Sequence, residues 1–422
     1  MNTVRTPRAA AVILAVVLTA LPSAVLASGS ARSAGMAGTV TAVTTGIEGA
    51  EANPANLAWR DNPGVGIELI STQFLLSNNG IDLSLYNASM NTHLEDDDKQ
   101  NILSSIPATG LTADAHLGAS ALGVMVGKVA VTFGGRADAS TNLPHDVFEL
   151  LLMGNAEADS LNFSDAKAEA ISVASAKVST AITVGHTRWG PIYAGFGLAY
   201  LQGVGYAHLE EIDGELVTNL QGIHGQATGQ LKTATLGAGF GLDLGLATEL
   251  GPWYRASLAV RNAWAQVQYT EGIEIQTFVA TLDTLDLETI ENSDDENDLF
   301  DSTDATFTGD PFTVTLPRVL NLGLSRVTDG LTLGLEYEQG FETRAGSTTT
   351  PRIALGSEWR ALGWLPLRAG LSLGGRSRQR ASAGFGLHLF GFRMDFAAST
   401  IGELWPSSPR GVAVAVGTGL RF

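Results

Sequence analysis

The segment Gly370–Gly374 matches the G-x-S-x-G pattern that surrounds the nucleophilic serine of many hydrolases. That chemistry requires a strand, a sharp turn and then a helix, so that the serine hydroxyl stands at the tip of the turn. Here Ser372 lies inside the run Leu367–Leu373, in which large apolar residues alternate with small or polar ones. Such alternation is typical of an uninterrupted strand. A nucleophilic role for Ser372 is therefore disfavoured.

Potential metal ligands are present, but their spacing matches no established metal site. The seven histidines are scattered and form no H-E-x-x-H motif. The acidic run Asp294–Asp298 offers oxygen ligands, yet Leu299 and Ala305 occupy the positions where a calcium loop needs glycine and glutamate. Two interpretations of the surrounding segment, Asp283–Asp310, stay open: bridging of lipopolysaccharide through Ca²⁺ or Mg²⁺, or, as favoured here, a solvated extracellular loop. The sequence thus predicts no catalytic residue, no metal site and no cofactor, and we expect a protein that is not an enzyme.

Alternating segments, rather than catalytic motifs, dominate the chain. Leu236–Leu246 places leucine, alanine and phenylalanine on one face, with glycine and an aspartate on the other. Leu320–Ser325 repeats the pattern, and Leu331–Glu338 returns after an Asp-Gly pair, which is a preferred hairpin connector. Alternation over about ten residues is the signature of a transmembrane β-barrel strand, which has one face toward lipid and one toward the lumen. The same pattern fits Ile353–Trp359, Leu367–Leu373, Ala383–Leu389, Phe392–Phe396 and Val412–Phe422.

Less regular strands complete the expected barrel. They are predicted at Val65–Leu75, Gly80–Met90, Leu117–Gly127, Val129–Ala137, Ile171–Val184, Ile192–Val204, Ala207–Thr218, Tyr254–Asn262 and Ala265–Gln276. The expected number of strands is about 14 to 16, and because bacterial single-chain barrels have even strand numbers, we expect 14. A soluble periplasmic β-sandwich or propeller would also alternate, but it would not place so many large apolar residues on the outer face of successive strands.

Charged residues of these strands fall on the face that would line the lumen. Opposite charges there could pair across strands and hold a plug, or they could shape a polar pathway, and we favour the ion-pair network. A register slip of one residue would move all of them to the lipid face. The lumen polar candidates are Asp243, Glu336, Glu338, Arg368, Arg393 and Asp395, with Arg352, Glu358, Arg360, His388 and Arg421 on the same face.

The composition agrees with a membrane barrel. Charged residues make up 16% of the chain and 49 of its 422 residues are glycine, whereas soluble domains carry about 25% charged residues. The net charge of −18 argues against a nucleic-acid partner, because phosphate binding needs clustered lysine and arginine. The chain contains no cysteine, which excludes disulfides and thiolate metal sites.

The first residues are typical of a secretory signal peptide. Arg5 and Arg8 precede the apolar run Ala9–Leu21, and Val25–Ala27 offers small residues for cleavage. The run is shorter than the ~20 residues that a membrane-spanning helix needs. We therefore expect an exported protein with a cleaved signal over residues 1–27, and an uncleaved anchor is the less favoured alternative.

The last strand resembles the assembly signal of bacterial outer-membrane barrels. Gly417, Leu420 and Phe422 occupy the glycine, hydrophobic and terminal aromatic positions of that signal, whereas its polar position holds Ala415. The resemblance implies insertion by the outer-membrane assembly machinery and a location in the bacterial outer membrane.

A segment rich in small residues lies between the signal peptide and the first strand. Gly35–Val43 is followed by Glu48–Trp59, which contains Asn53, Pro54 and Ala55. Small residues let a backbone pack closely inside a lumen, proline fixes a turn, and asparagine satisfies exposed backbone groups. An ordinary proline turn before a strand is the alternative interpretation.

This segment resembles the start of the FadL-like long-chain fatty acid transporters and their PorV-type relatives, which open with a glycine-rich stretch and then Asn-Pro-Ala. The resemblance implies a 14-stranded outer-membrane barrel with an N-terminal plug folded inside it. It also implies a plug or gating role for Asn53, Pro54 and Ala55, and it identifies no residue that contacts a fatty acid.

Two segments show apolar residues at helical rather than strand spacing, His93–Pro107 and Leu143–Met153. They are predicted to be short helices outside the membrane. They could cover a barrel mouth or bind a hydrophobic ligand there, and packing on neighbouring loops is the favoured interpretation.

The sequence therefore predicts an all-β fold, a transmembrane antiparallel β-barrel of about 14 strands with an N-terminal plug segment and short loop helices. Residues 1–27 form the expected signal peptide, 28–62 the plug and 63–422 the barrel. The leading hypothesis is FadL-like passive transport or binding of a hydrophobic small molecule. The alternative is a PorV-like envelope adaptor, secretion or assembly component without transport activity. The expected partners are outer-membrane lipid, the assembly machinery and, under the leading hypothesis, a hydrophobic ligand.

Overall fold

The computed structural model describes residues 30–90, 93–155, 160–220, 222–285, 301–404 and 408–422. The expected signal peptide, the first two residues of the expected plug and the acidic run Asp294–Asp298 lie outside these ranges. Among the described residues, no helix has the length and apolar character required to cross a membrane.

Nineteen strands make up most of the described chain. They are β1 Val65–Asn78, β2 Leu111–Val126, β3 Val129–Leu143, β4 Ser160–Asn162, β5 Lys167–His186, β6 Pro191–Asn219, β7 Gly222–Ala234, β8 Leu236–Leu250, β9 Tyr254–Glu271, β10 Glu274–Leu285, β11 Asp301–Thr308, β12 Phe312–Thr315, β13 Val319–Val327, β14 Leu331–Gly340, β15 Arg352–Leu362, β16 Leu365–Gly374, β17 Gln379–Leu389, β18 Phe392–Ile401 and β19 Gly411–Arg421. The helices are α1 Ala31–Gly35, α2 Gly46–Ala52, the 3₁₀ helix Pro54–Ala58, α3 Leu83–Ser89, α4 Asp96–Ser105 and α5 His145–Met153.

The sheet closes on itself as a 14-stranded antiparallel barrel. β1 pairs with β2 along one edge and with β19 along the other, so that Gly66 lies opposite both Met125 and Arg421. β7 and β10 continue β8 and β9 beyond the wall and pair with each other, while β11 and β12 lead back to β13. The three-residue β4 pairs with the far end of β6 beyond the wall; leaving it out and counting each continuous path once gives 14 crossings. Closure gives hydrogen-bond partners to the backbone groups of the edge strands, as a hydrocarbon environment requires. The predicted number of 14 strands is confirmed.

The strands alternate between an apolar outer face and a lumen face of small or polar residues. In β14, Leu331, Leu333 and Leu335 are exposed, whereas Thr332 and Glu336 are buried. Neighbouring strands show the same burial pattern in register. Because a charge on the lipid face costs about 2–4 kcal/mol at the membrane midplane, this alternation fixes the register of each strand.

The two ends of the barrel differ. One end carries short turns and also holds both the start of β1 and the end of β19, and we call it the turn end. The opposite loop end carries longer connections, among them residues 79–110 and 341–351. Exposed aromatic residues gather near the turn end, as in the aromatic girdles that mark a membrane interface; they are Trp189, Trp253, Tyr254, Trp359 and Trp364.

Several of the expected strands differ in the structure. Gly80–Met90 is not a strand, because Leu83–Ser89 forms α3, whose first turn is capped by the Asp82 side chain accepting from the Leu85 backbone N–H at 2.8 Å. The two strands expected at Ile192–Val204 and Ala207–Thr218 form the single strand β6. The two helices predicted outside the membrane are confirmed as α4 and α5.

Residues 30–64, here called the luminal segment, lie inside the barrel near the turn end. Their short helices are built largely from glycine and alanine, and Met36, Ala50 and Leu57 are almost completely buried. Small side chains bring this backbone close to the wall, where its polar groups need partners.

Candidate functional site

Asn53 fixes the second half of the luminal segment to β8 and β9. Its fully buried side-chain amide donates to Ser257 Oγ at 2.6 Å and lies 3.0 Å from the carbonyl oxygen of Leu258 and 3.1 Å from that of Leu246. Its side-chain oxygen accepts from the Ala55 backbone N–H at 3.0 Å, which caps the 3₁₀ helix. Pro54 occupies the first turn of this helix, where a missing N–H has no cost.

Two wall glycines allow this approach. A Cβ added at Gly195 would overlap the backbone nitrogen of Ala55, and one added at Gly245 would overlap the Asn53 side-chain oxygen. The structure thus places Asn53, Pro54 and Ala55 together against the barrel wall, which is the location that a plug role requires.

Arg32 fixes the first half of the luminal segment through buried charge. It donates to Glu358 through Nε at 2.8 Å and through Nη2 at 3.1 Å, and both side chains are at most 5% exposed. Burial lowers the pKa of Arg32, but Glu358 and Glu48 outweigh it and raise that pKa above its ordinary value. Glu358 also accepts from Arg368 at 2.7 Å and from Arg360 at 2.7 Å.

The charge network continues along the lumen face of the last strands. Arg368 donates to Asp395 at 2.7 Å, and Asp395 lies 3.0 Å from His388 Nε2. Arg393 Nε lies 3.4 Å from the same histidine nitrogen. The structure therefore brings Arg368, Arg393 and Asp395, three of the lumen candidates, into one network.

Two further candidates hold the backbone of the luminal segment, Glu336 directly and Glu338 through an arginine. Glu336, which is 1% exposed, accepts from the backbone N–H groups of Val40 at 2.5 Å and Thr41 at 2.8 Å. Glu338 pairs with Arg352 at 3.1 Å, and Arg352 donates to the carbonyl oxygen of Ala37 at 2.8 Å. Both carboxylates face the lumen but lie apart from the network around Asp395.

Asp243, the remaining candidate, lies on the opposite side of the lumen. It pairs with Lys177 at 3.2 Å and accepts from the Asn262 backbone N–H at 2.8 Å. Lys177 also pairs with Glu51 of the luminal segment at 2.8 Å. Asp243 therefore contacts the luminal segment only through Lys177.

The sequence did not identify the partners that the luminal segment itself supplies. Arg32, Glu48 and Glu51 are charged residues in a stretch otherwise rich in small residues, and this contrast was the available signal. Lys177 was equally detectable, because it lies on the buried face of β5 in a run of serine, alanine and valine.

A loop lies across the lumen on the side opposite the luminal segment. Residues 341–351 fold inward, and Arg344 pairs with Glu169 at 2.6 Å and donates to the Thr315 carbonyl oxygen at 2.8 Å. Burial lowers the pKa of Arg344, and Glu169 outweighs burial and raises it above its ordinary value. Arg376 donates to the Arg344 carbonyl oxygen at 2.7 Å, which ties this loop to the next one.

Two adjoining cavities lie between the luminal segment and this loop. The first, of about 270 Å³, is here called the arginine cavity because Arg261, Arg352, Arg376 and Arg380 line it. The second, of about 210 Å³, is called the aliphatic cavity because one wall consists of Val173, Ala199, Leu201, Leu316 and Pro317, whereas charged residues, among them Arg136, Lys177 and Asp243, line the rest of it. His116, Asp138 and Arg261 line both.

An aromatic cluster backs the apolar wall of the aliphatic cavity. The rings of Tyr206, Tyr269 and Phe312 lie with centroids 5.3–5.5 Å apart, in the same buried cluster as Val173 and Leu201. This is the one large apolar cluster on the lumen side of the described wall toward the loop end, and it contrasts with the charged surfaces around it.

The C-terminal signal residues lie at the seam of the barrel. Gly417 pairs with Ser71 of β1, Leu420 pairs with Ile67, and the exposed Phe422 donates its backbone N–H to Val65 at 2.9 Å. Their use by the assembly machinery stays a prediction.

Within the described residues, one group of side chains has metal-binding geometry. His145, Asp146 and Glu149 lie in the first turns of α5 with ligand atoms within 4.8 Å of one another. One Asp146 oxygen is already bound by the Asn162 backbone N–H at 2.8 Å, and the group is partly exposed.

Comparisons with known proteins point to the fold. A family of unknown function, DUF5723, matches residues 54–238, and no curated protein sequence matches the chain. The solved toluene transporter TbuX of Ralstonia pickettii is 15% identical with a TM-score of 0.51, and the match covers 94% of this chain and 99% of that one. The toluene transporter TodX of P. putida is 12% identical with a TM-score of 0.50 over the same shares of the two chains.

A FadL homologue of Pseudomonas aeruginosa is 12% identical with a TM-score of 0.49, covering 94% of this chain and all of that one. The chain has the fold of the two toluene transporters, and this fold agrees with the outer-membrane location expected from the sequence. Outer-membrane barrels carry short periplasmic turns and longer extracellular loops, so in such a membrane the turn end of this barrel would face the periplasm and the loop end would face outward.

Proposed function

We propose that this barrel is a passive outer-membrane channel for a small hydrophobic molecule, with the luminal segment as its gate. The aliphatic cavity carries the proposal. Its apolar wall of Val173, Leu201 and Leu316 is the part of an otherwise charged lumen where apolar surface would leave water on binding. Its volume, about 210 Å³, suits a molecule the size of a single aromatic ring rather than a long chain.

The likeness in fold to the two toluene transporters supports a cargo of this kind. Those proteins are toluene transporters by their descriptions, and the matches cover 94% of this chain. No comparison supports the PorV-like adaptor alternative, and a protein that co-purifies in stoichiometric amount would favour that alternative over the channel.

Gating is proposed for Asn53, Pro54 and Ala55, because they hold the luminal segment to the wall beneath the cavities. Displacing the segment would break the Asn53 contacts with Ser257 and Leu258 and open a route toward the periplasm. These bonds are neutral, so they can exchange with water at a small net cost of about 1 kcal/mol each.

The test is uptake of radiolabelled toluene by host cells whose outer membrane contains the barrel. We expect faster uptake than in cells without it, and still faster uptake with Asn53→Ala because the segment is released more often. Asn79→Ala is the matched control, since Asn79 anchors a loop-end connection through Gly110 and Thr112. Uptake equal to that of empty cells would refute the channel, and equal uptake by wild type and Asn53→Ala would refute the gate alone.

A further inference from the structure

Arg380 is a buried cation without an acidic partner. It projects from β17 into the arginine cavity and is 9% exposed. Among the described residues, its one side-chain hydrogen bond goes from Nη2 to Ser399 Oγ at 2.9 Å, and its Nε has no partner. An unpaired charge that is removed from water is costly, so this position requires an explanation.

The other charges of the arginine cavity pair with one another. Arg376 pairs with Asp114 at 3.0 Å, and Arg352 and Arg261 share Glu338 at 3.1 and 3.2 Å. The last acid, Asp138, lies 2.8 Å from His116 Nδ1 and 3.5 Å from Arg136 Nε. Arg380 is therefore the one arginine of the described cavity lining that has no acidic partner.

A second unpartnered group lies beside Arg380. Ser372, the serine of the G-x-S-x-G segment, is the cross-strand neighbour of Arg380 in the pairing of β16 with β17. Ser372 is 2% exposed, it lines the same cavity, and its Oγ has no hydrogen-bond partner among the described residues. Directly opposed residues on one face of a sheet have Cβ atoms about 5 Å apart, so the two side chains can reach the same ligand atom.

We propose that Arg380 and Ser372 form a binding site for the carboxylate of a small organic acid. A guanidinium edge and a carboxylate match in geometry and charge, and one unmatched cation suits a monovalent group. The cavity, at about 270 Å³, is larger than a bare ion needs and lies at the small end of ligand pockets. Leu75, Ala115 and Val319 supply apolar surface for the body of the acid.

This inference deepens the proposed function, because it assigns an anionic group to part of the cargo, and it rests on that function only where transport is concerned. Binding itself is measured on the purified barrel in detergent, so the two proposals can fail separately. Benzoate is the probe, and toluene is its neutral counterpart of similar shape.

The experiment compares benzoate binding by calorimetry in wild type, Arg380→Met, Ser372→Ala and Arg378→Met. Arg378→Met is the matched control, since it removes an exposed arginine of the same hairpin. We expect Arg380→Met to weaken benzoate binding about ten- to hundredfold, as the loss of a charge-assisted hydrogen bond implies. We expect Ser372→Ala to weaken benzoate binding about fivefold. Arg378→Met should bind benzoate as tightly as the wild type does, and the affinity for toluene should be the same in all four proteins.

The thermal stability of Arg380→Met separates a binding role from a structural one. Removing an unpaired buried charge should leave the melting temperature of the unliganded barrel unchanged or raise it. Ser372→Ala serves as the second variant if Arg380→Met fails to fold. Absence of benzoate binding to wild type, or equal binding by wild type and Arg380→Met, would overturn the proposal, whatever the toluene uptake shows.

Discussion

The two halves of the luminal segment, the first containing Arg32 and the second containing Asn53, are held to the barrel by different kinds of interaction. Arg32 in the first half is bound by Glu358 at a site where both side chains are almost completely buried. Asn53 in the second half uses neutral amide hydrogen bonds and lies against wall glycines. The charged contacts of that second half reach water more than Arg32 and Glu358 do: Glu51, which pairs with Lys177, is 24% exposed, and Arg60, which pairs with Glu249, is 71% exposed.

This difference indicates which half of the luminal segment stays attached to the barrel wall and which half can detach. A buried ion pair adds little net stability over an apolar contact, but removing one partner leaves the other charge stranded. A neutral bond exchanges with water at much lower cost. The first half is therefore suited to remain attached, and the second half, which contains Asn53, Pro54 and Ala55, is suited to move.

The largest effect is expected from Glu358→Gln. The substitution leaves Arg32, Arg360 and Arg368 around a neutral side chain, and breaking such a buried pair costs about 3–5 kcal/mol. We expect this loss in the free energy of unfolding, measured by urea titration of the barrel in lipid vesicles. The luminal segment should also become sensitive to protease before the barrel unfolds.

Glu342→Gln provides the control for that measurement, because Glu342 is an exposed carboxylate of the loop between β14 and β15. A loss below about 1 kcal/mol for Glu358→Gln would mean that the first half is not held by charge, and the contrast between the halves would disappear.

A smaller effect is expected from Gly195→Ala, which tests the steric contact of the second half. The added methyl would overlap the backbone of Ala55, and overpacking of this kind costs about 1–3 kcal/mol. Gly185→Ala in the neighbouring strand is the control, since a Cβ there meets nothing within 4 Å. Equal unfolding free energies for the two variants would show that the luminal segment does not pack closely against the barrel wall at Gly195.

The fold was predictable because lipid and lumen impose a period of two on each strand. That period identified the lumen face of Glu336 and Glu358 without any knowledge of their partners. It failed at Gly80–Met90, where a short alternating run was read as a strand although Asp82 could cap a helix. Short apolar runs do not distinguish the two structures.

The site was less predictable, because its contacts depend on the path of the luminal segment through the lumen. Arg32 and Glu358 are 326 positions apart in the chain, and no local pattern joins them. Arg380 was overlooked for a different reason. The strand was expected to begin at Ala383, but β17 begins at Gln379, so Arg380 was not assigned to the lumen face.

The smallest effect is expected from Arg60→Ala at the rim of the second half. The Arg60–Glu249 pair is short, at 2.9 Å, and although Glu249 is buried, its arginine is largely exposed. Glu249 keeps the Tyr193 hydroxyl as a second donor at 3.1 Å, and because water and salt screen the arginine, we expect the pair to contribute about 0–1 kcal/mol. We expect the loss in unfolding free energy to stay within this range and to vanish when the ionic strength is raised to about 1 M. The loss for Glu358→Gln should persist at that ionic strength, because its charges are shielded from the solution. If both losses disappeared together in high salt, the buried pair would be accessible to ions, and the first half of the segment would be as free to move as the second.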